Sequence, residues 1–161
     1  MTAEELTLAT TVFLSGLASG LLGMLSTIMR PMLSAMEGAE FRGFMETFLR
    51  YAGNGLGKLY NLAWSLGMTF GPVAALALLW DDRGTTSFVL TAIGLGIVIV
   101  GVLIVSNAWK TPTYKMILAW DAEAMPADWK AGRQRYFLIN WIQLGVTWTA
   151  FVLFLVALAS L

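Results

Sequence analysis

Between Phe88 and Ser106 the chain runs without one charged residue. A bilayer's hydrocarbon core is about 30 Å thick and takes about 20 apolar residues as helix, so this run is long enough to cross it. Three more runs qualify: Leu6 to Met29, about Leu59 to Trp80, and about Phe137 to Leu161. Inside lipid every backbone N–H and C=O must find a partner within the protein, which leaves helices or closed barrels. The short alternating segments of a barrel are absent here. The expected fold is therefore all-α. It is a single membrane domain over residues 1–161, an integral four-helix bundle with spans at about 6–29, 59–80, 88–106 and 137–161.

Composition agrees, and it narrows the chemistry. Only 12% of residues are charged and 58% are hydrophobic, against about 25% charged in an ordinary soluble domain. Formal net charge is zero, so no nucleic-acid partner is expected. The chain holds neither cysteine nor histidine. Disulfides, thiolate metal sites and the commonest general base are thereby excluded, and no carboxylates are spaced as a metal site. No cofactor is expected. A cleaved signal is not expected either, since Glu4 and Glu5 precede the first run and no basic residue does.

Nine of the ten Lys and Arg residues fall between the first and second runs or between the third and fourth. The tenth, Arg83, sits in the "WDDRGTT" turn between the second and third. Basic loops face the cytoplasm. Both long loops are thus placed inside and both termini outside, in the inner membrane of a bacterium. Trp109, Trp120, Trp129 and Trp141 are expected at the inner headgroup level and Trp80 at the outer.

Each basic loop carries an amphipathic helix. In "EFRGFMETFLRYAGNG" the residues Phe41, Phe44, Met45, Phe48 and Leu49 recur at helical spacing, with Glu46 and Arg50 placed as an i,i+4 pair. This helix either lies on the membrane or caps the bundle. A second short helix is read in "TPTYKMILAWDAEAMPADW", with Tyr114, Ile117 and Leu118 on its apolar face. Pro126 then opens the last helix, whose first turns stand outside the hydrocarbon. Gly16, Gly20, Gly23 and Thr27 in the first run, and Ala92, Gly96 and Gly101 in the third, form small-residue packing surfaces.

The polar residues of the last helix are not scattered. At 100° per residue, and with Trp129 as origin, Arg133, Tyr136, Asn140, Gln143 and Thr147 all fall within about 40° of one line. In the second span Lys58, Asn61, Ser65, Thr69 and Pro72 fall within about 60° of one another's mean direction by the same arithmetic. An unpaired polar group in hydrocarbon costs several kcal/mol, so the two stripes are expected to face inward, toward each other. Two readings of this seam stand side by side. In one, Asn61, Asn140 and Gln143 are interhelical hydrogen-bond glue. The chain is then a non-catalytic structural or accessory subunit, in a homo-oligomer or a larger membrane complex. In the other, the seam is a cytoplasm-facing pocket for a small apolar or phenolic ligand. Asn61, Ser65, Arg133, Tyr136, Asn140 and Gln143 line it, and Lys58, Arg133 or Arg135 at its mouth receives an anion. No Asp or Glu lies inside a span, so a proton relay lacks its usual parts.

The layout resembles a bacterial membrane family that includes the anthrone-oxygenase-like proteins. The match is carried by "SGLASGLLGMLSTIMRPML" in the first span, by Asn107, Pro112 and Tyr114, and by "ILAWDAEAMPADWKAGRQRYFLIN" with Trp120, Asp121, Pro126, Asp128, Trp129, Arg133 and Asn140. The four-span plan covers essentially the whole chain. Two positions depart from the family pattern: Tyr136 stands where tryptophan is frequent, and Gln143 where arginine is frequent. The resemblance implies cofactor-free oxidation of a phenolic anthrone by oxygen. It would need a base, for which Lys58 is the candidate, and donors to the enolate oxygen, for which Arg133, Asn140 and Gln143 are the candidates.

Because the chain has no cysteine, its orientation is directly testable. Ser34→Cys and Thr86→Cys are expected to react with a membrane-impermeant maleimide from opposite faces of the membrane. Labelling of both from outside would contradict the orientation.

Overall fold

The computed structural model describes residues 1–161, and all regular structure in it is helical. There are five helices: α1 (Ala3–Ala35), α2 (Gly38–Ala52), α3 (Gly55–Leu78), α4 (Thr86–Leu118) and α5 (Trp129–Ala159). All but α2 are long and apolar enough to cross a membrane. Their outward faces carry Phe13, Ile28, Leu62, Phe70, Val73, Ile93, Val100, Val152 and Leu155 exposed. Water would make this apolar surface unfavourable, whereas acyl chains are its natural surroundings. The chain is a membrane protein built as a helical bundle.

The bundle is a ring in the order α1, α3, α4, α5, closing back on α1. Neighbours in the ring pack along their length, while α3 and α5 stand diagonally opposite. Small residues allow the close approaches. A Cβ on Gly67 would strike the Leu14 side chain, one on Gly71 would strike Thr11, and one on Gly101 would strike Val146. Gly67 and Gly71 thus let α3 lie against α1, a role expected instead of Gly20 and Gly96. Both of those have open space where a side chain would be.

At 1.5 Å per residue α1 and α4 are each about 50 Å long, well beyond a 30 Å hydrocarbon core. The surplus sits at the end of the bundle that carries nine of the ten basic residues, here called the basic end. There α2 folds across the protruding helices and builds a second core. Leu33 of α1, Phe41 and Met45 of α2, Ile117 of α4, and Tyr136 and Phe137 of α5 are all buried together with Trp120. The helix of the first basic loop is therefore a cap on the bundle. The Arg42 guanidinium locks it down, donating to the carbonyls of Trp120 at 2.9 Å and Leu118 at 3.4 Å, where α4 ends. Those carbonyls lack partners in their own helix, which is why a cation is stabilising there. Arg42 also pairs with Glu46 at 2.8 Å, so the ion pair on this helix is Arg42–Glu46 and not the expected Glu46–Arg50. Trp120 and Trp129 likewise belong to the cap: Trp120 is buried, and the Trp129 ring lies 4.6 Å from the Arg133 guanidinium. They do not form part of an exposed aromatic belt.

Three prolines lie inside long helices: Pro72 in α3, and Pro31 and Pro112, which follow π-helical turns. In α1, π-helical residues Leu25–Met29 precede Pro31. In α4, π-helical residues Ile99–Ile104 and Ser106–Lys110 precede Pro112. Proline lacks an N–H and clashes with the preceding turn, and the wider π turn relieves both. The expected separate helix after Asn107 is thus the continuation of α4. The last helix starts at Trp129 with Asp128 as its cap, a turn later than Pro126.

Gly67→Val is expected to cost about 1–3 kcal/mol by overpacking the α1–α3 contact, with Gly20→Ala near neutral. Thermal unfolding in detergent measures both. Equal midpoints for the two variants would contradict the assigned helix contact.

Candidate functional site

Where α2 turns into α3 the bundle is not filled. A chamber of about 950 Å³ opens there and runs inward between the helices. Its rim is the turn Ala52–Gly57, and this turn depends on glycine. Gly55 has φ +52°, in the left-handed region, and a Cβ on Gly57 would run into the Tyr51 carbonyl. Asn61 fastens the turn, its Nδ2 donating to the Ala52 carbonyl at 2.9 Å while its Oδ1 accepts from Trp64 Nε1 at 3.1 Å. The apolar wall is built by Leu21, Leu22, Leu25, Phe48, Trp64 and Val102. Thirteen of the twenty-one lining residues are hydrophobic and none is Asp or Glu. The space therefore suits an apolar body and offers no negative charge to a cation.

One wall is polar, and it is continuous. Gln143 of α5 is buried and uses both ends of its amide. Its Oε1 accepts from Lys110 Nζ at 2.7 Å, and its Nε2 donates to Ser106 Oγ at 2.7 Å. Both partners come from the π-helical stretch of α4. Tyr114, one turn further on, lines the chamber with its ring 5.8 Å from Lys110 Nζ. Along α4, Lys110 lies about 36 Å from Thr86 at helical rise, near the hydrocarbon boundary at the basic end. The chain's two ion pairs are Met1–Glu5 and Arg42–Glu46, so the Lys110 ammonium faces the chamber with no carboxylate beside it.

The sequence-expected site residues divide. Asn61 and Gln143 line the chamber. Lys58 is exposed and outside it, and Arg135 is exposed at the basic end. Ser65 is half-buried off the chamber and lends only its carbonyl, to Thr69 Oγ1 at 2.9 Å. Arg133 is buried in the cap, where Nη1 donates to the carbonyls of Met36 at 2.6 Å and Leu33 at 3.2 Å. It closes the C-terminal end of α1, stacked between the rings of Trp129 and Phe41. Tyr136 and Asn140 are buried behind the chamber wall, with the Tyr136 ring 6.0 Å from that of Tyr114. The Tyr136 hydroxyl and the Asn140 amide lie close to each other, and neither has a partner outside this pair. The two polar stripes do turn inward, but they do not meet: α3 and α5 are diagonal, no hydrogen bond joins them, and Gln143 finds its partners on α4.

Ser106, Lys110 and Tyr114 are the site residues that sequence reasoning passed over. Extending the third run as helix past Pro112 places Lys110 about 40° and Tyr114 about 80° from Ser106. That side-by-side placement was the available signal. It was masked by ending the third span at Ser106, where the charge-free run stops.

No family model matches the chain, and no curated protein or solved structure matches it. The anthrone-oxygenase resemblance thus gains no support from known proteins.

Two adjacent amides of α5 should respond to different degrees. Gln143→Leu strands a buried ammonium and is expected to destabilise by about 1–3 kcal/mol or more. Asn140→Leu removes an amide whose one polar neighbour is the Tyr136 hydroxyl and is expected to cost clearly less than Gln143→Leu. Chemical denaturation in mixed micelles reads both. A large loss from Asn140→Leu with none from Gln143→Leu would contradict this assignment.

Proposed function

We propose that this protein resides in the bacterial inner membrane, with its basic end in the cytoplasm and both termini outside, and that its chamber binds a small, largely apolar or phenolic molecule taken up from the membrane. The observation that carries the reading is the chamber itself. It is of the size that holds small ligands, about 300–1,000 Å³, and it combines apolar walls with a few convergent polar groups. An ionisable residue at membrane depth that faces a cavity is by default a functional feature, because its burial is costly.

The rim supports access from lipid. Tyr51 and Leu56 are exposed there, at 68% and 83%, on the turn that meets the headgroup region by the length argument above. The orientation rests on the placement of nine of the ten basic residues at one end.

The geometry favours binding over turnover. Lys58, the base that the anthrone-oxygenase resemblance would use, faces away from the chamber. The amine that is inside, Lys110, is engaged by Gln143. Arg133 and Asn140, the donors that the resemblance would aim at an enolate, lie in the cap and behind the wall. In the competing reading, an accessory subunit held together by polar glue, the chamber would stand without a resident.

Native mass spectrometry of the detergent-purified protein distinguishes the two. Wild type is expected to carry a co-purifying small molecule. Leu21→Trp, which places an indole in the chamber from a half-buried position, is expected to lose that mass while eluting as wild type does. Identical bare spectra for both proteins would sink the ligand-site reading and leave the accessory role.

A further inference from the structure

The proposed chamber is asymmetric in charge, and the asymmetry defines what its occupant must bring. Lys110 has three N–H donors, of which one is used on Gln143 at 2.7 Å. Gln143 is already held from the other side by Ser106, so it is fixed as an acceptor and Lys110 is fixed with it. Lys110 Nζ makes no other hydrogen bond or ion pair within the chain. Tyr114 also lines the chamber, with its ring 5.8 Å from the Lys110 nitrogen. Apart from Tyr51, exposed at the rim, most other polar side chains on the chamber wall are satisfied locally. The Asn61 amide and Trp64 indole satisfy each other and the Ala52 carbonyl, Asn54 is bonded to Arg50, Tyr60 to Leu17, and Thr147 to Leu144. An ammonium with unspent donors thus stands on the wall of a largely apolar space, with the Tyr114 ring close by. Nothing acidic lines that space.

Burying a charge without a partner is expensive, and adding the opposite charge recovers the cost. We propose that the ligand is an amphiphilic oxyanion, a carboxylate or an ionised phenol on an apolar body, whose negative oxygen seats on Lys110 and Tyr114 while the body fills the apolar chamber. This rests on the ligand-site reading above and adds the charge of the head. The direction of approach fits. Lys110 lies near the hydrocarbon boundary, where an amphiphile carries its head, and Val102, Ala18 and Thr147 lie deeper for the tail.

Matched probe pairs test the head with the body held constant. Dodecanoate is compared with dodecanamide, and 4-dodecyl-2-nitrophenol with its methyl ether. Each is titrated by calorimetry into the full chain in a neutral maltoside detergent at neutral pH. Wild type is expected to prefer the anionic member of at least one pair by about tenfold or more, the range of a charge-assisted hydrogen bond. Whichever pair shows the preference tells carboxylate from phenolate. Lys110→Gln is expected to abolish the preference while keeping the affinity for the neutral member, and Tyr114→Phe to weaken the anion alone by a few-fold.

Equal binding of the charged and neutral members by wild type would overturn the oxyanion and leave the chamber as an apolar site. A preference that survives Lys110→Gln would overturn it as well. No binding of any probe by wild type, with Leu21→Trp no different, would remove the ligand-site reading itself. Should Lys110→Gln fail to fold, the wild-type comparison and Tyr114→Phe still decide the matter.

Discussion

The hydrogen bond from Lys110 to Gln143 ties the chemistry of this protein to its fold. It joins α4 to α5 toward the basic end of the bundle, and it fixes a positive charge on the wall of the chamber. Neither partner is sufficient alone. Without Gln143 the ammonium would lose its one acceptor in the chain and stand unpaired on an apolar wall. Without Lys110 the Gln143 amide would lose the acceptor half of its satisfaction and keep only Ser106. The arrangement exists because α4 does not end at its proline. Its π-helical turns carry the helix past Pro112 and bring Ser106, Lys110 and Tyr114 onto the chamber side.

The cap gives this wall its rigidity. The α1, α4 and α5 helices overshoot the membrane, and α2 lies across them with Phe41 and Met45 completely buried. Arg42 and Arg133 each terminate a helix of the bundle, at α4 and α1 respectively, so two cations of the basic end are committed to backbone carbonyls. That division clarifies the function of the charges. Arg133 and Arg42 hold the cap, Lys58 and Arg135 stand exposed, and Lys110 alone among the basic residues lines the chamber.

Much of this was legible in the amino-acid order. Four charge-free runs define four spanning helices, since lipid permits no other economical backbone. The 3.6-residue recurrence of Phe41, Met45 and Phe48 marks α2 and its buried face. The stripe of Tyr136, Asn140, Gln143 and Thr147 was read from helical angles, and all four side chains are buried. What stayed hidden was relational. A helical wheel says which way a side chain points, not which helix it meets, so the placement of α3 and α5 across a diagonal was not visible in either stripe. Arg133 looks like a ligand-facing cation in the sequence because its real partners, the carbonyls of Leu33 and Met36, are backbone atoms about a hundred residues away along the chain. Lys110 was hidden because the third span was bounded by its charge-free run at Ser106, which assigned Lys110 to a loop, whereas α4 continues as helix to Leu118.

An experimental density map of the protein purified with native lipid tests the central claim most directly. The account requires Lys110 Nζ within hydrogen-bond reach of Gln143, and non-protein density beside it that continues along Leu22, Trp64 and Val102. A chamber closed by its own side chains, or a Lys110 side chain turned out to the headgroups with Gln143 bonded elsewhere, would contradict it.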